Sequence, residues 1–230
     1  MTENKIIWCK GCGLYSVLNS INLQVKKMKN KVAVSGIGCA GRSSGYFGFD
    51  SVNTLHGRAI PIAEGLKRAN EKSNVFVFSG DGDLLGIGLN HLMHCARRNT
   101  NLTVICANNN VYGMTGGQAS PTTKKGAITK TSPKGMEFEP VNIQKLLMSN
   151  KKYFYARTTP YNIKHLSFCL EQAFKYNGFS FVDIYLPCIT NIRRIFKNKT
   201  IPEIVKPYLN VKIIKENRIL EDDEYGVHFK

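Results

Sequence analysis

Two short clusters of oxygen-bearing side chains stand directly behind apolar runs. Gly80-Asp81-Gly82-Asp83 follows Val75–Phe78, and Asn108-Asn109-Asn110 follows Leu102–Ala107. If both runs are consecutive strands of a parallel sheet, a carboxylate and an amide oxygen reach the same edge, where open α/β sheets bind ligands. Hard oxygen donors there suit a magnesium ion that also takes oxygens from a phosphate-bearing ligand. The glycines let the backbone come close to phosphates.

The cysteines form a second pattern. Cys9 and Cys12 make a C-x-x-C pair, Cys39 follows the first strand and Cys188 the last, which places Cys39 and Cys188 on the edge that carries Asp81 and Asn109. Four thiolates can close a [4Fe-4S] cluster or a tetrahedral zinc site. Cys95, Cys106 and Cys169 fall inside a helix, a strand and a helix, and read as small buried apolar residues. His91 and His94 lie one helical turn apart without a completing ligand, so a packed helix surface is the better reading. His56 stands in Leu55-His-Gly-Arg58 at a helix start. There it either meets a phosphate together with Arg58 and backbone N–H groups or belongs to a capping loop. Gly36-x-Gly38-x-x-Gly41 matches the dinucleotide fingerprint, but Arg42–Phe49 is too glycine-rich for the helix that fingerprint needs, and Asp50 closes no strand. NAD binding is therefore excluded.

These residues need elements to position them. Helices are expected over Gly13–Val25, Arg58–Asn70 with Pro61 in its first turn, Leu84–Arg98, Val141–Met148 and Ile163–Tyr176. Strands are expected at Lys31–Ser35, Val75–Phe78, Leu102–Ala107, Tyr153–Ala156 and Phe179–Leu186. Alternation at this spacing implies an α/β fold, a mostly parallel sheet with helices on both faces. Residues 111–139 form a long loop of the kind that is functional or disordered. Residues 1–195 read as one α/β domain and 196–230 as a charged, weakly patterned tail.

Net charge is +16, from 32 basic and 16 acidic residues. Such a field favours anionic partners such as a diphosphate, an acyl-thioester cofactor or an acidic electron carrier, although a Lys-rich composition with solvated basic faces also accounts for it. The basic runs are scattered with few interleaved aromatics, which disfavours nucleic acid. No apolar stretch approaches the roughly 20 residues that span a bilayer, and Met1–Ile7 lacks the apolar core of a signal peptide. The chain reads as soluble and cytoplasmic, with no membrane partner, and seven cysteines there argue for metal or redox chemistry rather than disulfides.

Taken together, Trp8–Gly13, Gly36–Arg42, Thr54–Ala59, Gly80–Asp83, Asn108–Gln118 and Phe179–Asn191 resemble the β subunit of the 2-oxoacid:ferredoxin oxidoreductases, enzymes that use thiamine diphosphate. The resemblance runs from residue 6 to about 195 and is nearest to the 2-oxoglutarate branch, with pyruvate and branched-chain 2-oxoacids behind it. It implies that Asp81, Asn109 and the backbone carbonyl of Val111 ligate Mg²⁺. It also implies that Gly82, Asp83 and His56 approach the diphosphate, His56 being a catalytic candidate as well, that Gly80, Gly113 and Thr115 belong to the cofactor-binding set, and that Gly38 and Cys39 lie near the thiazolium. Cys9, Cys12, Cys39 and Cys188 match the cluster cysteines, favouring [4Fe-4S] over zinc. Arg42 falls where the family carries a basic or polar residue near the substrate carboxylate. Ala40 and Asn108 depart from the family's frequent serine and aspartate. The implied reaction is oxidative decarboxylation of a 2-oxoacid to acyl-coenzyme A and CO₂, with electrons leaving to ferredoxin. The pyrimidine of the cofactor needs a glutamate, and Glu64 and Glu71 both read as surface residues. In the family an α subunit supplies that glutamate, so the chain is expected to be half of a heterodimeric active site. A non-redox thiamine decarboxylase or synthase, and a zinc-stabilised interaction subunit, are the competing readings.

Overall fold

A computed structural model describes residues 7–230. The reading of Met1–Ile7 therefore falls, except for its last residue, outside the described part of the chain. The centre is an eight-stranded sheet in the order β2-β1-β3-β4-β8-β7-β10-β9. Its strands are β1 (Lys31–Ser35), β2 (Ser51–Asn53), β3 (Asn74–Gly80), β4 (Leu102–Asn108), β7 (Phe154–Thr158), β8 (Phe179–Tyr185), β9 (Lys212–Ile214) and β10 (Glu224–Phe229). The first six in spatial order run parallel, and β10 pairs antiparallel with β7. A small antiparallel ribbon, β5 (Val111–Tyr112) with β6 (Gln118–Ala119), stands apart.

Alternation along the strands sends side chains to two cores. Phe76, Phe78, Ile105 and Val182 face α1 (Leu14–Val25) and α5 (Ile163–Lys175). Val75, Val77, Val104 and Phe181 face α2 (Ala59–Ala69), α3 (Leu89–Arg97) and α4 (Ile143–Met148). A sheet buried on both faces explains why its strands read as continuous apolar runs. Asn142 and Asn162 cap α4 and α5 by accepting from the N–H of Lys145 and His165 at 3.0 and 3.1 Å. No helix among the described residues is long and apolar enough to cross a membrane.

Several expectations need correction. The helix expected over Leu84–Arg98 is broken: Gly82–Ile87 forms a wide π-type turn with Gly86 out of helical geometry (φ −87°, ψ −107°), and α3 begins only at Leu89. The glycine-rich stretch after β1, read as unable to form a helix, makes a 3₁₀ helix at Ala40–Tyr46. Side chains from neighbouring strands supply its partners: Ser35 Oγ and Asn53 Nδ2 donate to the Gly41 carbonyl at 2.9 and 3.2 Å. Glu64 is not a surface residue. It is 6 % exposed, and its carboxylate accepts from Arg98, from Arg68 at 3.2 Å and from Thr100 at 2.8 Å. Glu71 is exposed as expected.

The stretch read as a weakly patterned tail is also folded. After α6 (Ile189–Ile195) it contributes α7 (Ile201–Leu209), opened by a Thr200/Glu203 capping box, and the strands β9 and β10. Buried Glu224 organises it, accepting from Arg218 through both guanidinium nitrogens and from Lys212, all at 2.7 Å. Ion pairs at irregular spacing leave no periodic trace in a sequence, which is why the pattern looked weak.

Candidate active site

Because β1, β3, β4 and β8 are parallel, the residues that follow them emerge at one edge. Gly80 pairs with Ala107 in the ladder, so Asp81 and Asn109 leave the sheet side by side. Between them and the loops after β1 and β2 lies a cavity of about 220 Å³. Gly38, Cys39, His56, Gly80, Asp81, Gly82, Asp83, Asn109, Val111, Gly113 and Thr115 all line it, together with Leu14, Ile37, Tyr112 and Met114. Ligand pockets enclosing a whole cofactor run to roughly 300–1,000 Å³. A smaller volume at a sheet edge fits a site that needs another wall.

Asp81 is 1 % exposed. Its Oδ2 accepts from Ser120 Oγ at 2.6 Å and Thr122 Oγ1 at 2.8 Å, and its Oδ1 takes only a long bond from the Asn109 N–H, at 3.4 Å. Burial pushes this carboxyl up to about 6, against the pull of those hydroxyls. One oxygen of a desolvated carboxylate is thus held from behind while the other faces the Asn109 side. Thr122 Oγ1 also lies 2.9 Å from Asn108 Oδ1, and Asn108 Nδ2 donates to buried Asp183 at 3.0 Å, so Asn108 works inside the sheet. Ser120 and Thr122 escaped the sequence reading. Hydroxyls near a carboxylate leave no spacing signal when a long loop brings them there.

Asp83 is buried and its carboxylate is fully occupied. Oδ1 accepts from Gly57 N–H (2.7 Å) and Ile37 N–H (3.2 Å) and lies 2.6 Å from His56 Nδ1, while Oδ2 accepts from Ser79 Oγ at 2.8 Å. It ties the loops after β1 and β2 to the turn after β3. Gly82 packs against Tyr112 so closely that a Cβ would sit 2.4 Å from its ring. Gly38 has φ +126°, and a Cβ there would meet nothing within 4 Å, leaving open space at the cavity wall.

Residues 36–184 match the family profile of the thiamine pyrophosphate enzyme C-terminal TPP-binding domain. A 2-oxoglutarate synthase subunit KorB from Archaeoglobus fulgidus is 42% identical over 214 residues, covering 92% of this chain and 76% of that protein. A 2-oxoacid:ferredoxin oxidoreductase subunit beta from a Sulfolobus species is 40% identical, covering 85% of this chain and 69% of its own length. The chain belongs to the β-subunit family of the 2-oxoacid:ferredoxin oxidoreductases. A solved 2-oxoglutarate:ferredoxin oxidoreductase from Magnetococcus marinus, with 2-oxoglutarate, coenzyme A and succinyl-CoA bound, superposes with a TM-score of 0.85 at 28% identity over 99% of this chain and 81% of that one. The α/β fold read from the sequence is that of this family, and the cavity lies within its thiamine-binding domain.

The β-subunit fold also gathers the expected cysteines outside that cavity's floor. Cys39 lines the cavity, and Cys9, Cys12 and Cys188 lie close enough for their charges to be felt by one another. Burial pushes Cys12 up to about 11, with Cys188, Cys39 and Cys9 adding to the rise. Cys39 and Cys188 are also raised, chiefly by burial; Arg42 opposes the shift at Cys39, and at Cys188 the Asn191 bonds and then Arg194 do so. The Cys12 N–H donates to the Cys9 carbonyl at 3.0 Å, Trp8 Nε1 to the Cys39 carbonyl at 2.8 Å, and Asn191 Nδ2 to Cys188 Sγ at 3.1 Å. Thiols that resist ionisation alone and sit together are a donor set that an iron–sulfur cluster would relieve. Among the described residues, no group of three His, Cys, Asp or Glu converges as it would on a single metal ion. Cys95, Cys106 and Cys169 are fully buried, as expected. Arg42 is exposed and does not line the cavity. No glutamate lines it either.

Proposed function

We propose that this β subunit, joined to an α subunit, oxidises 2-oxoglutarate to succinyl-coenzyme A and CO₂ and passes the electrons to ferredoxin. The observation that carries the reading is the arrangement at one sheet edge: buried Asp81 lines one cavity with Asn109 and Cys39, and Cys9, Cys12 and Cys188 lie near enough for their charges to act on Cys39 or on one another. The curated 2-oxoglutarate synthase relatives support the substrate.

In this reading Asp81, Asn109 and the Val111 carbonyl hold Mg²⁺, and Cys9, Cys12, Cys39 and Cys188 hold a [4Fe-4S] cluster. Bound thiamine diphosphate supplies the carbanion equivalent that makes decarboxylation of a 2-oxoacid feasible, and the cluster supplies a one-electron exit. The chain's own residues position and shield. His56, oriented by Asp83 through Nδ1, would present its other ring nitrogen to the diphosphate. The Gly38 and Gly82 backbones allow close approach, and Tyr112 braces the Gly82 turn. Leu14, Ile37 and Met114 give the cavity an apolar wall that would limit water around the bound cofactor once the α subunit closes the site. Arg42 offers its charge to the substrate carboxylate at the rim of the completed site. The α subunit provides the missing glutamate.

The test is anaerobic co-purification with the α subunit, followed by assay of 2-oxoglutarate, pyruvate and branched-chain 2-oxoacids with viologen as acceptor. Preferred turnover of 2-oxoglutarate by the complex, and none by the isolated chain, is expected. Turnover by the isolated chain, or preference for another 2-oxoacid, overturns the corresponding part.

A further inference from the structure

The strongly basic composition is not spread evenly around the thiols. Lys10, Arg193, Arg194 and Lys197 line one surface depression of about 440 Å³ together with Cys9, and all are exposed. Arg194 also lines the adjoining depression with Lys130. No carboxylate lines either one, and none of these five cations takes part in an ion pair among the described residues. The nearby acid Glu203 is turned into the cap of α7, accepting from Thr200 N–H and Oγ1 at 2.8 and 2.7 Å.

The patch also connects to the thiols. Arg194 Nη1 donates to Asn191 Oδ1 at 3.3 Å, and Asn191 Nδ2 donates to Cys188 Sγ at 3.1 Å. A surface guanidinium, one amide and a cluster cysteine thus form a continuous hydrogen-bonded path, and Cys9 brings the same cluster of thiols to the surface. Unpaired cations in a shallow bowl attract an acidic partner from a distance and set its orientation on arrival. Solvated basic faces elsewhere on the chain, such as Lys26 and Lys27, have no such connection.

We propose that the face formed by Lys10, Lys130, Arg193, Arg194 and Lys197 is where an acidic protein electron carrier docks, over the edge of the thiol cluster. The proposal rests on the functional reading above and names the side of the subunit from which electrons leave.

The experiment compares the αβ complex with an R193E/K197E variant and with K26E/K27E, which changes the net charge equally. An acidic ferredoxin is titrated by calorimetry at low and moderate salt, and turnover is measured with ferredoxin and with methyl viologen. For R193E/K197E, the Kd and the KM for ferredoxin are expected to rise about tenfold or more and to lose most of their salt dependence. Viologen turnover and α-subunit co-purification stay unchanged, and K26E/K27E behaves as the parent. Unchanged ferredoxin binding in R193E/K197E overturns the proposal. So does loss of the α subunit or a raised KM for coenzyme A, because the face would then serve assembly or another anion. Ferredoxin binding that shifts as expected in a complex without 2-oxoacid turnover keeps the docking face and removes the functional reading instead.

Discussion

His56 Nδ1 lies 2.6 Å from Asp83 Oδ1, and this contact decides which edge of the imidazole meets the cavity. The same carboxylate oxygen takes the N–H groups of Gly57 and Ile37, so one side chain aligns the histidine and joins two loops. The two partners therefore differ sharply in what they do. Asp83 is almost fully buried, whereas the His56 side chain is 39% exposed.

Replacing Asp83 by Ala strands several buried donors and should cost on the order of 3 kcal/mol or more of stability. His56→Ala should cost under about 1 kcal/mol, because its pairing is half-exposed. It should instead weaken thiamine diphosphate binding to the complex by about tenfold through one lost charge-assisted contact. Urea midpoints and a cofactor titration separate the two; equal losses of stability in both variants would contradict the assignment.

Asp81 should behave in the opposite sense to Asp83. Its carboxylate is buried beside hydroxyls, with its upward shift set by desolvation. Asp81→Asn is expected to leave the apo protein as stable as the parent or more so, since the buried charge is gone. The variant should lose the rise in Tm that Mg²⁺ with thiamine diphosphate gives the parent. Thermal scans with and without the ligands check this. A retained ligand shift would remove Asp81 from the metal site.

Acid sensitivity should come in part from Glu64, far from the cavity. The Arg98 hydrogen bonds hold its carboxyl down at about 2, below the ordinary 4.5. A depressed folded-state value means that its stabilisation is complete above about pH 4.5 and is lost as pH falls toward 2. Discounted for partly exposed arginine partners, that contribution is about 2 kcal/mol. Denaturation at pH 7 should show Glu64→Gln less stable by about that amount, with the difference shrinking progressively from pH 4.5 down to about pH 2; a difference as large at pH 2 as at pH 7 would refute it.

Anaerobically purified complex should be brown and give an EPR signal on reduction. Cys188→Ser should abolish the signal, while Cys169→Ala, which alters a fully buried thiol in α5, should leave it unchanged. Iron content and spectra measure both. An intact spectrum in Cys188→Ser would remove the cluster assignment.

The sheet and its edge were legible because two signals agree locally. Apolar runs such as Val75–Phe78 mark buried strands, and Asp81 or Asn109 directly behind them inherits a place at the edge. What escaped depends on long-range partners. Ser120 and Thr122 reach Asp81 across 39 and 41 residues, and Arg98 reaches Glu64 across 34, distances at which spacing carries no information. The break at Gly86 is a different case: Gly86 and Gly88 lie inside Leu84–Arg98 and weaken a helix there, a local signal that the expectation of one continuous helix passed over.

Arg157, in β7, is 4% exposed, and its guanidinium donates to the carbonyls of Glu221, Asp222 and Glu224 at 2.6, 3.3 and 3.2 Å. On a ribosome those acceptors are made more than sixty residues after the arginine. Until they emerge, β7 remains an open edge whose arginine has Tyr155, Tyr185 and Asp183 beside it but lacks its backbone acceptors, and the nascent sheet stays exposed to chaperones and to mispairing. The cavity-forming strands are all synthesised earlier, so the cofactor half of the subunit can take shape while its far edge is still being translated.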